Sequence, residues 1–336
     1  MCSRSSPAQR ALLTMVLILG AAQDACTLVR PAPSTHEESA PSAPPALSSP
    51  IPSSVPPPPP VAPPPVVMAA PPPRPLRIAL ALGGGAARGF AHVGVIKGLE
   101  ARGIHPDIIV GTSAGAIVGA LYAGGYNGIE LNRLALNMDE AVLSDWALPS
   151  RGLFKGESLQ NYVNHALKDR PIEKLEHKFA ATATDLQTGE LVVFERGNTG
   201  QAVRASASVP GVFEPVRIGR AEYVDGGLVS PVPVRVARRL GADVVIAVDI
   251  SARPGSADTT GVVSILLQTF AIMGQTIAGY EEKEADLVIR PMLPSMAGSD
   301  FAARNAAVLA GEEAVSRQAD QIRNLIEARR RELNAQ

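Results

Sequence analysis

A serine stands between two glycines where a β-branched run gives way to small apolar residues. The stretch reads GTSAG and contains Gly111, Ser113 and Gly115. A serine on a sharp strand-to-helix turn is the pattern of a nucleophile elbow, which projects the hydroxyl from the carboxyl end of a sheet. We therefore predict that Ser113 is a nucleophile, with Gly111 and Gly115 leaving room for the turn. The alternative is that Ser113 only caps a helix.

A glycine-rich segment, GGGAARG (Gly83–Gly89), follows the first predicted strand. Three consecutive glycines leave backbone N–H groups able to point at an anion, so a loop bordering Ser113 can form an oxyanion hole. The competing interpretation is a dinucleotide-binding loop. That fingerprint requires an acidic residue at the end of the second strand, where this chain has Val110, Gly111 and Thr112. The missing acid favours the oxyanion hole.

A serine nucleophile needs a base, and none of the five histidines follows Ser113 in the order of a Ser–Asp–His triad. We expect His92, which falls within the first predicted helix, to satisfy a local hydrogen bond. A carboxylate is the remaining kind of base. Asp225 ends a predicted strand and begins the sequence DGG, which leaves room around the carboxylate. The same Asp-Gly pair is also a common turn signal.

The elements that must position these residues alternate between strands and helices. We predict strands at Arg77–Leu82, Asp107–Val110, Asp243–Ile250 and Asp286–Pro291, hairpins within Lys178–Phe194 and Val216–Gly227, and helices at Arg88–Arg102, after Ser113 through Tyr122, at Val234–Leu240 and at Arg304–Leu333. Such alternation predicts an α/β fold with a mainly parallel sheet covered by helices on both faces.

The first part of the chain is predicted to lie outside this fold. Arg4 and Arg10 precede a short apolar run, which predicts a signal peptide at residues 1–25. Residues 26–76 are rich in Pro, Ala and Ser and are predicted to form a disordered linker. The sequence QDAC, ending at Cys26, resembles the cleavage box of a bacterial lipoprotein, which makes Cys26 a lipidation candidate. Simple cleavage of the signal peptide is the alternative.

These features predict an exported protein of the periplasm or cell envelope, with a membrane surface as a partner if Cys26 is lipidated. The formal net charge is −1, and nothing in the sequence suggests the clustered basic face that nucleic-acid binding requires, so we expect no nucleic-acid partner. No His, Cys or Asp cluster has the spacing of metal ligands, and we expect neither a metal nor another cofactor.

Four motifs occur in order along the chain. They are GGGAARGFAHVGV (Gly83–Val95), GTSAG (Gly111–Gly115), ASASVPGVFEPV (Ala205–Val216) and DGG (Asp225–Gly227). Together they resemble the patatin-like phospholipase family, particularly its bacterial members. The resemblance runs from about Arg77 to Ile250. It implies a three-layer α/β/α patatin-like hydrolase domain over residues 77–336, with a C-terminal helical extension from about residue 251.

The resemblance also implies a Ser–Asp dyad, with Ser113 as the nucleophile and Asp225 as the base. The oxyanion hole would comprise the glycine-loop residues Gly83, Gly84 and Gly85 together with the N–H of Ala114, and Arg88 matches the basic residue of the loop. We expect burial to raise the pKa of Asp225, because an ordinary aspartate is a weak base at neutral pH.

The implied activity is that of a serine lipid acyl hydrolase, of phospholipase A or esterase type, acting on lipid or acyl-ester substrates. Two alternatives remain at this point. The chain could be a membrane-tethered, catalytically silent scaffold or binding protein with the same fold. The nucleophile could also be Ser206 or Ser208 in the ASAS stretch, although we expect these serines to lie at a helix end.

Overall fold

The structure, a computed structural model, describes residues 74–138, 155–252, 260–293 and 296–335. The predicted signal peptide, Cys26 and all but the end of the predicted linker lie outside these residues. Among the residues described, no helix is both long enough and apolar enough to cross a membrane.

The strands of the described residues form one sheet. They are β1 (Ile78–Leu82), β2 (Ile108–Thr112), β3 (Lys178–Asp185), β4 (Leu191–Phe194), β5 (Val216–Ile218), β6 (Ala221–Asp225), β7 (Val244–Val248) and β8 (Leu287–Ile289). Their order is β5-β6-β3-β2-β1-β7-β8, with β4 also paired to β3. The pairs β3–β2, β2–β1, β1–β7 and β7–β8 are parallel. The pairs β3–β4, β3–β6 and β5–β6 are antiparallel.

The helices are α1 (Phe90–Glu100), α2 (Ala114–Ala123), α3 (Gly128–Leu136), α4 (Glu157–Ala166), α5 (Thr199–Ser206), α6 (Val234–Arg239), α7 (Val262–Glu281), α8 (Arg304–Arg317) and α9 (Ala319–Asn334). The prediction of one final helix at Arg304–Leu333 is wrong, because the chain bends at Gln318. The side chain of Gln318 donates a hydrogen bond to Val288 O at 3.2 Å, which ties the bend to β8.

Alternate residues of the parallel strands enter two different cores, as the 2-residue period of a strand requires. Ile78, Leu80 and Leu82 of β1 pack with residues of α1, α2 and α8. Ala79 and Ala81 pack with residues of α6 and with Ala278 near the end of α7. The sheet is therefore covered on both faces, and the predicted three-layer α/β fold is confirmed.

The register of β3 brings the ends of two other strands together. Thr182 of β3 pairs with both β2 and β4, whereas the next residue, Ala183, pairs with both β4 and β6. Since β4 occupies one edge of β3 at both positions, β2 and β6 must share the other edge. Thr112 ends β2 opposite Thr182, and Asp225 ends β6 opposite Ala183. The two strands therefore meet end to end.

Helices α1 and α8 approach each other so closely that only glycine fits at the contact. A Cβ atom at Gly94 would lie 1.9 Å from Val308 O, and one at Gly311 would lie 2.1 Å from Ala91 O. Helix α8 lies within the C-terminal extension predicted from the sequence, yet it forms part of the core on this face.

We expect Gly94→Ala to lower the free energy of unfolding by about 1–3 kcal/mol, because α1 and α8 must separate to admit the methyl group. Urea denaturation would measure the change. The control is Gly279→Ala in α7, where a Cβ atom would meet nothing within 4 Å. That control should leave stability unchanged or raise it by up to about 1 kcal/mol, since alanine is the better helix former. Equal unfolding midpoints for Gly94→Ala and the wild type would contradict the close contact.

Candidate active site

Ser113 lies on the turn between β2 and α2 in a conformation that L-residues rarely adopt. Its φ is 54° and its ψ is −119°. The flanking glycines are required by space: a Cβ atom at Gly111 would lie 2.4 Å from Gly115 O, and one at Gly115 would lie 2.1 Å from Leu82 O of the neighbouring strand. The serine thus has the strained backbone of a nucleophile elbow.

The ASAS stretch supports this turn. The backbone N–H of Ser113 donates to Ser206 Oγ at 2.9 Å, and Ser206 is fully buried at the end of α5. Ser208 is also buried, and its hydroxyl donates to Arg204 O at 2.8 Å. Both serines lie at or just beyond a helix end, as expected, and Ser206 contacts the elbow directly.

Asp225 is held in place through its backbone. Its N–H donates to Ser208 O at 2.9 Å, and its carbonyl oxygen accepts from Thr184 Oγ1 at 2.8 Å. One carboxylate oxygen, Oδ1, accepts from Gly227 N at 2.7 Å. The other, Oδ2, is buried and has no hydrogen-bond partner among the described residues. Asp225 therefore keeps one oxygen available inside the protein.

Burial raises the pKa of Asp225 from 3.8 to about 6. The Ser113 side chain and the Gly227 N–H act in the opposite direction, because both favour the ionised carboxylate. Ser113 and Asp225 are thus electrostatic neighbours, as the end-to-end meeting of β2 and β6 requires. The expected upward shift of this pKa is confirmed.

The glycine loop borders Ser113. A Cβ atom at Gly84 would lie 3.3 Å from the Cβ atom of Ser113, so a side chain at this position would crowd the elbow. The N–H of Gly83 donates to Val248 O, and the N–H of Gly84 donates to Pro231 O, each at 3.0 Å. The prediction that these two N–H groups serve an oxyanion hole is therefore wrong, since both are used by the backbone.

Two of the predicted donors remain available. The N–H groups of Gly85 and Ala114 have no hydrogen-bond partner in the part of the chain that the structure describes. Gly85 directly follows Gly84, and Ala114 directly follows Ser113 as the first residue of α2, where a helix leaves its N–H groups unpaired. These two amides are the candidate oxyanion donors.

The side chains of His92 and Arg88 donate hydrogen bonds to backbone carbonyl groups in and around the glycine loop. His92 is fully buried, and its Nε2 donates to Gly83 O at 2.8 Å, which confirms the expected local hydrogen bond. Burial lowers the pKa of His92 to about 4, so the ring is neutral at physiological pH. Arg88 donates from Nε to Ile250 O at 2.9 Å and from Nη1 to Met296 O at 3.3 Å. The predicted loop cation therefore joins backbone segments.

A buried polar network beneath the elbow was missed by sequence reasoning. Thr112 Oγ1 donates to Ser230 O at 2.8 Å, and Ser230 Oγ donates to Glu281 Oε1 at 2.6 Å. Glu281 Oε2 accepts from Val232 N at 3.1 Å, and burial raises the pKa of Glu281 to about 7. The segment 230–232 thus connects the elbow, the glycine loop and the end of α7, and no spacing in the sequence signals this contact.

The described residues contain no group of three or more His, Cys, Asp and Glu side chains arranged to hold a metal ion. The site described above presents a hydroxyl, a carboxylate and backbone amides.

Comparison with known proteins gives related sequences over the same region. Residues 80–238 match the family model described as patatin-like phospholipase. An uncharacterized NTE family protein of Mycobacterium tuberculosis is 36% identical over 178 residues, covering 52% of this chain and 49% of the relative. Patatin-like phospholipase domain-containing protein 7 of Rattus norvegicus is 38% identical over 184 residues, covering 52% of this chain and 14% of the relative. The match thus spans about half the mycobacterial relative and a small part of the rat protein.

A solved structure gives the same fold. The crystal structure of VipD from Legionella pneumophila superposes with a TM-score of 0.50 at 14% identity, covering 76% of this chain and 68% of VipD. At this identity the likeness concerns the fold alone. The family match contains Ser113 and Asp225 together with the glycine loop. The chain therefore carries, at residues 80–238, a domain of the patatin-like phospholipase family.

Proposed function

We propose that this protein is a serine acyl hydrolase of phospholipase A or esterase type, acting on lipid or acyl esters through a Ser113–Asp225 dyad. One observation carries the proposal: a serine in the strained elbow conformation lies beside a buried aspartate that has an unpartnered carboxylate oxygen. The family match over residues 80–238 supports the choice of a lipid ester as the substrate.

In the first half of the reaction, Asp225 takes the proton of the Ser113 hydroxyl as Oγ attacks the ester carbonyl. The carbonyl oxygen becomes an oxyanion, which the Gly85 and Ala114 N–H groups stabilise. One such donor contributes about 3 kcal/mol to lowering the barrier. The tetrahedral intermediate then breaks its bond to the alcohol, which leaves with the proton from Asp225, and the acyl group remains on Ser113.

In the second half, Asp225 takes a proton from a water molecule that attacks the acyl-enzyme. The Ser113–acyl bond breaks, the proton returns to Ser113 Oγ, and a fatty acid is released. A pKa of about 6 suits Asp225 to both steps, because the carboxylate is mostly ionised at neutral pH and still a stronger base than an exposed aspartate.

We also propose that the protein is exported to the cell envelope and that a lipidated Cys26 brings it to a membrane surface. The support is the sequence of residues 1–26, with its charged start, its apolar run and the QDAC box.

Ser113→Ala should lower the turnover of a chromogenic acyl ester at least about a thousandfold, because no attacking oxygen remains. In the wild type, a fluorophosphonate probe should form a covalent bond with Ser113 Oγ, which peptide mass spectrometry would locate. The matched control is Ser208→Ala, because in the described structure the Ser208 hydroxyl donates its hydrogen bond to Arg204 O. Labelling at Ser206 or Ser208 would identify that serine as the nucleophile instead of Ser113. A wild-type protein that neither hydrolyses esters nor reacts with the probe would favour a catalytically silent scaffold.

The rate constant kcat/KM should fall about tenfold per pH unit below pH 6 and level off above it. The sign follows from the role of Asp225: the base acts when ionised, and protons bind it as the pH falls through its pKa of about 6. Asp225→Asn should lower kcat at least about a hundredfold while keeping an acceptor for Gly227 N. A profile that stays flat down to pH 4.5, with the fold intact by circular dichroism, would remove Asp225 as the base.

Mass spectrometry of the mature protein should show Cys26 as the first residue, carrying an added lipid mass, because lipoprotein processing cleaves before the modified cysteine. Cys26→Ser is the control and should remove that mass. An unmodified first residue other than Cys26 would contradict lipidation and would show that the signal peptide is simply cleaved.

A further inference from the structure

Helix α7 exposes an apolar stripe along its whole length. From Val262 to Tyr280 the helix carries no charged residue. The large side chains on its outer face are between 42% and 77% exposed: Val262, Ile265, Leu266, Ile272, Met273 and Tyr280. At 3.6 residues per turn, these positions fall within about one third of the circumference of the helix, so they share one side of it. A continuous exposed apolar stripe marks an interaction surface, unlike an isolated exposed leucine.

The polar residues within the stripe are satisfied internally. Thr269 Oγ1 donates to Ile265 O at 2.8 Å, and Thr276 Oγ1 donates to Ile272 O at 3.2 Å. Each hydroxyl thus bonds to the backbone one turn earlier. The two threonine hydroxyls therefore do not need water as a hydrogen-bond acceptor. This lowers the free-energy cost of moving this face of the helix out of water.

The other side of α7 lies against the candidate active site. A Cβ atom at Gly274 would lie 4.0 Å from Gly227 O, in the turn that directly follows Asp225. Farther along, Glu281 accepts hydrogen bonds from Ser230 and Val232. Whatever covers the stripe is therefore held beside the turn that carries the proposed base.

We propose that the stripe of α7 docks on the surface of a phospholipid bilayer and holds the Ser113–Asp225 site against it. The choice of lipid rests on the proposed acyl hydrolase function, whose substrate resides in such a surface. Helices that lie in a membrane interface bury an apolar face and normally keep a charged face in water. Toward the end of helix α7, the inner side packs on the protein through Ala278 and Glu281, which takes the place of a charged face in water.

Charge at the end of the stripe agrees with this occupant. Lys283 lies over the ring of Tyr280, with Nζ 4.9 Å from the ring centre, and both side chains are exposed. Tyrosine and lysine are the residues that mark the level of lipid head groups, where a ring stays partly apolar and an ammonium meets phosphate. The stripe thus ends at one exposed ammonium. The neighbouring carboxylates of Glu282 and Glu284 are paired with Arg290 and Arg235, which leaves Lys283 able to meet a lipid phosphate.

The test measures binding of the full chain to vesicles of phosphatidylethanolamine and phosphatidylglycerol. Cys26→Ser is present throughout to remove the candidate lipid anchor, so that differences between variants report on α7. The stripe variant is Ile265→Glu with Ile272→Glu. The matched control is Ile129→Glu with Leu309→Glu, which changes side chains that are 67% and 55% exposed on α3 and α8. Circular dichroism would verify that both variants fold.

The stripe variant should bind vesicles at least tenfold more weakly than the parent chain, and the control within twofold of it. Hydrolysis of vesicle lipid should fall at least tenfold in the stripe variant, whereas turnover of a soluble short-chain ester should stay within twofold. Unchanged vesicle binding in the stripe variant would overturn the proposal. So would light scattering that shows a dimer which the stripe variant dissociates, because a second copy would then cover the stripe.

The two proposals fail separately. If vesicle binding depends on the stripe but no ester is hydrolysed, the proposed hydrolase function is wrong and the proposal that the stripe docks on a membrane is retained. If ester turnover requires Ser113 but the stripe variant binds vesicles and hydrolyses their lipid like the parent chain, the docking proposal is wrong and the proposed hydrolase function is retained.

Discussion

One edge of β3 receives two strands that run toward each other, and the candidate site depends on this arrangement. Strand β2 ends opposite Thr182, and β6 ends opposite Ala183. The next residue after β2 is Ser113, and the last residue of β6 is Asp225, so the backbone itself brings hydroxyl and carboxylate together. A shift of either strand by one residue would turn its side chains to the other face of the sheet.

This meeting point stores unfavourable energy that the surroundings offset. A non-glycine residue with the backbone of Ser113 costs about 1–3 kcal/mol, and a buried carboxylate oxygen without a partner adds to that cost. Three hydrogen bonds hold the two residues nonetheless. The backbone N–H of Ser113 donates to Ser206 Oγ, the N–H of Asp225 donates to Ser208 O, and Thr184 Oγ1 donates to Asp225 O. Residues 206–208 thus connect nucleophile and base from one segment of chain.

The glycine loop and helix α7 are tied to the same centre through residues 230–232. Pro231 O accepts from Gly84, Ser230 O accepts from Thr112, and Glu281 binds both Ser230 and Val232. A displacement of α7 would therefore shift both the elbow and the glycine loop, because buried hydrogen bonds connect all three through residues 230–232. The same connection gives the proposed membrane-facing stripe a fixed position relative to the proposed dyad.

The sequence by itself determined the α/β layers, the hairpins and the elbow at Ser113, because strand alternation and the steric demands of a tight turn act over a few neighbouring residues. Only the tertiary structure decided which N–H groups of the glycine loop are available, since Gly83 and Gly84 donate to Val248 and Pro231 from distant segments. It likewise decided the bend at Gln318, the role of Ser206 and the buried contact of Glu281 with Ser230 and Val232. Each of these depends on atoms far apart in the chain, whose contact no local pattern encodes.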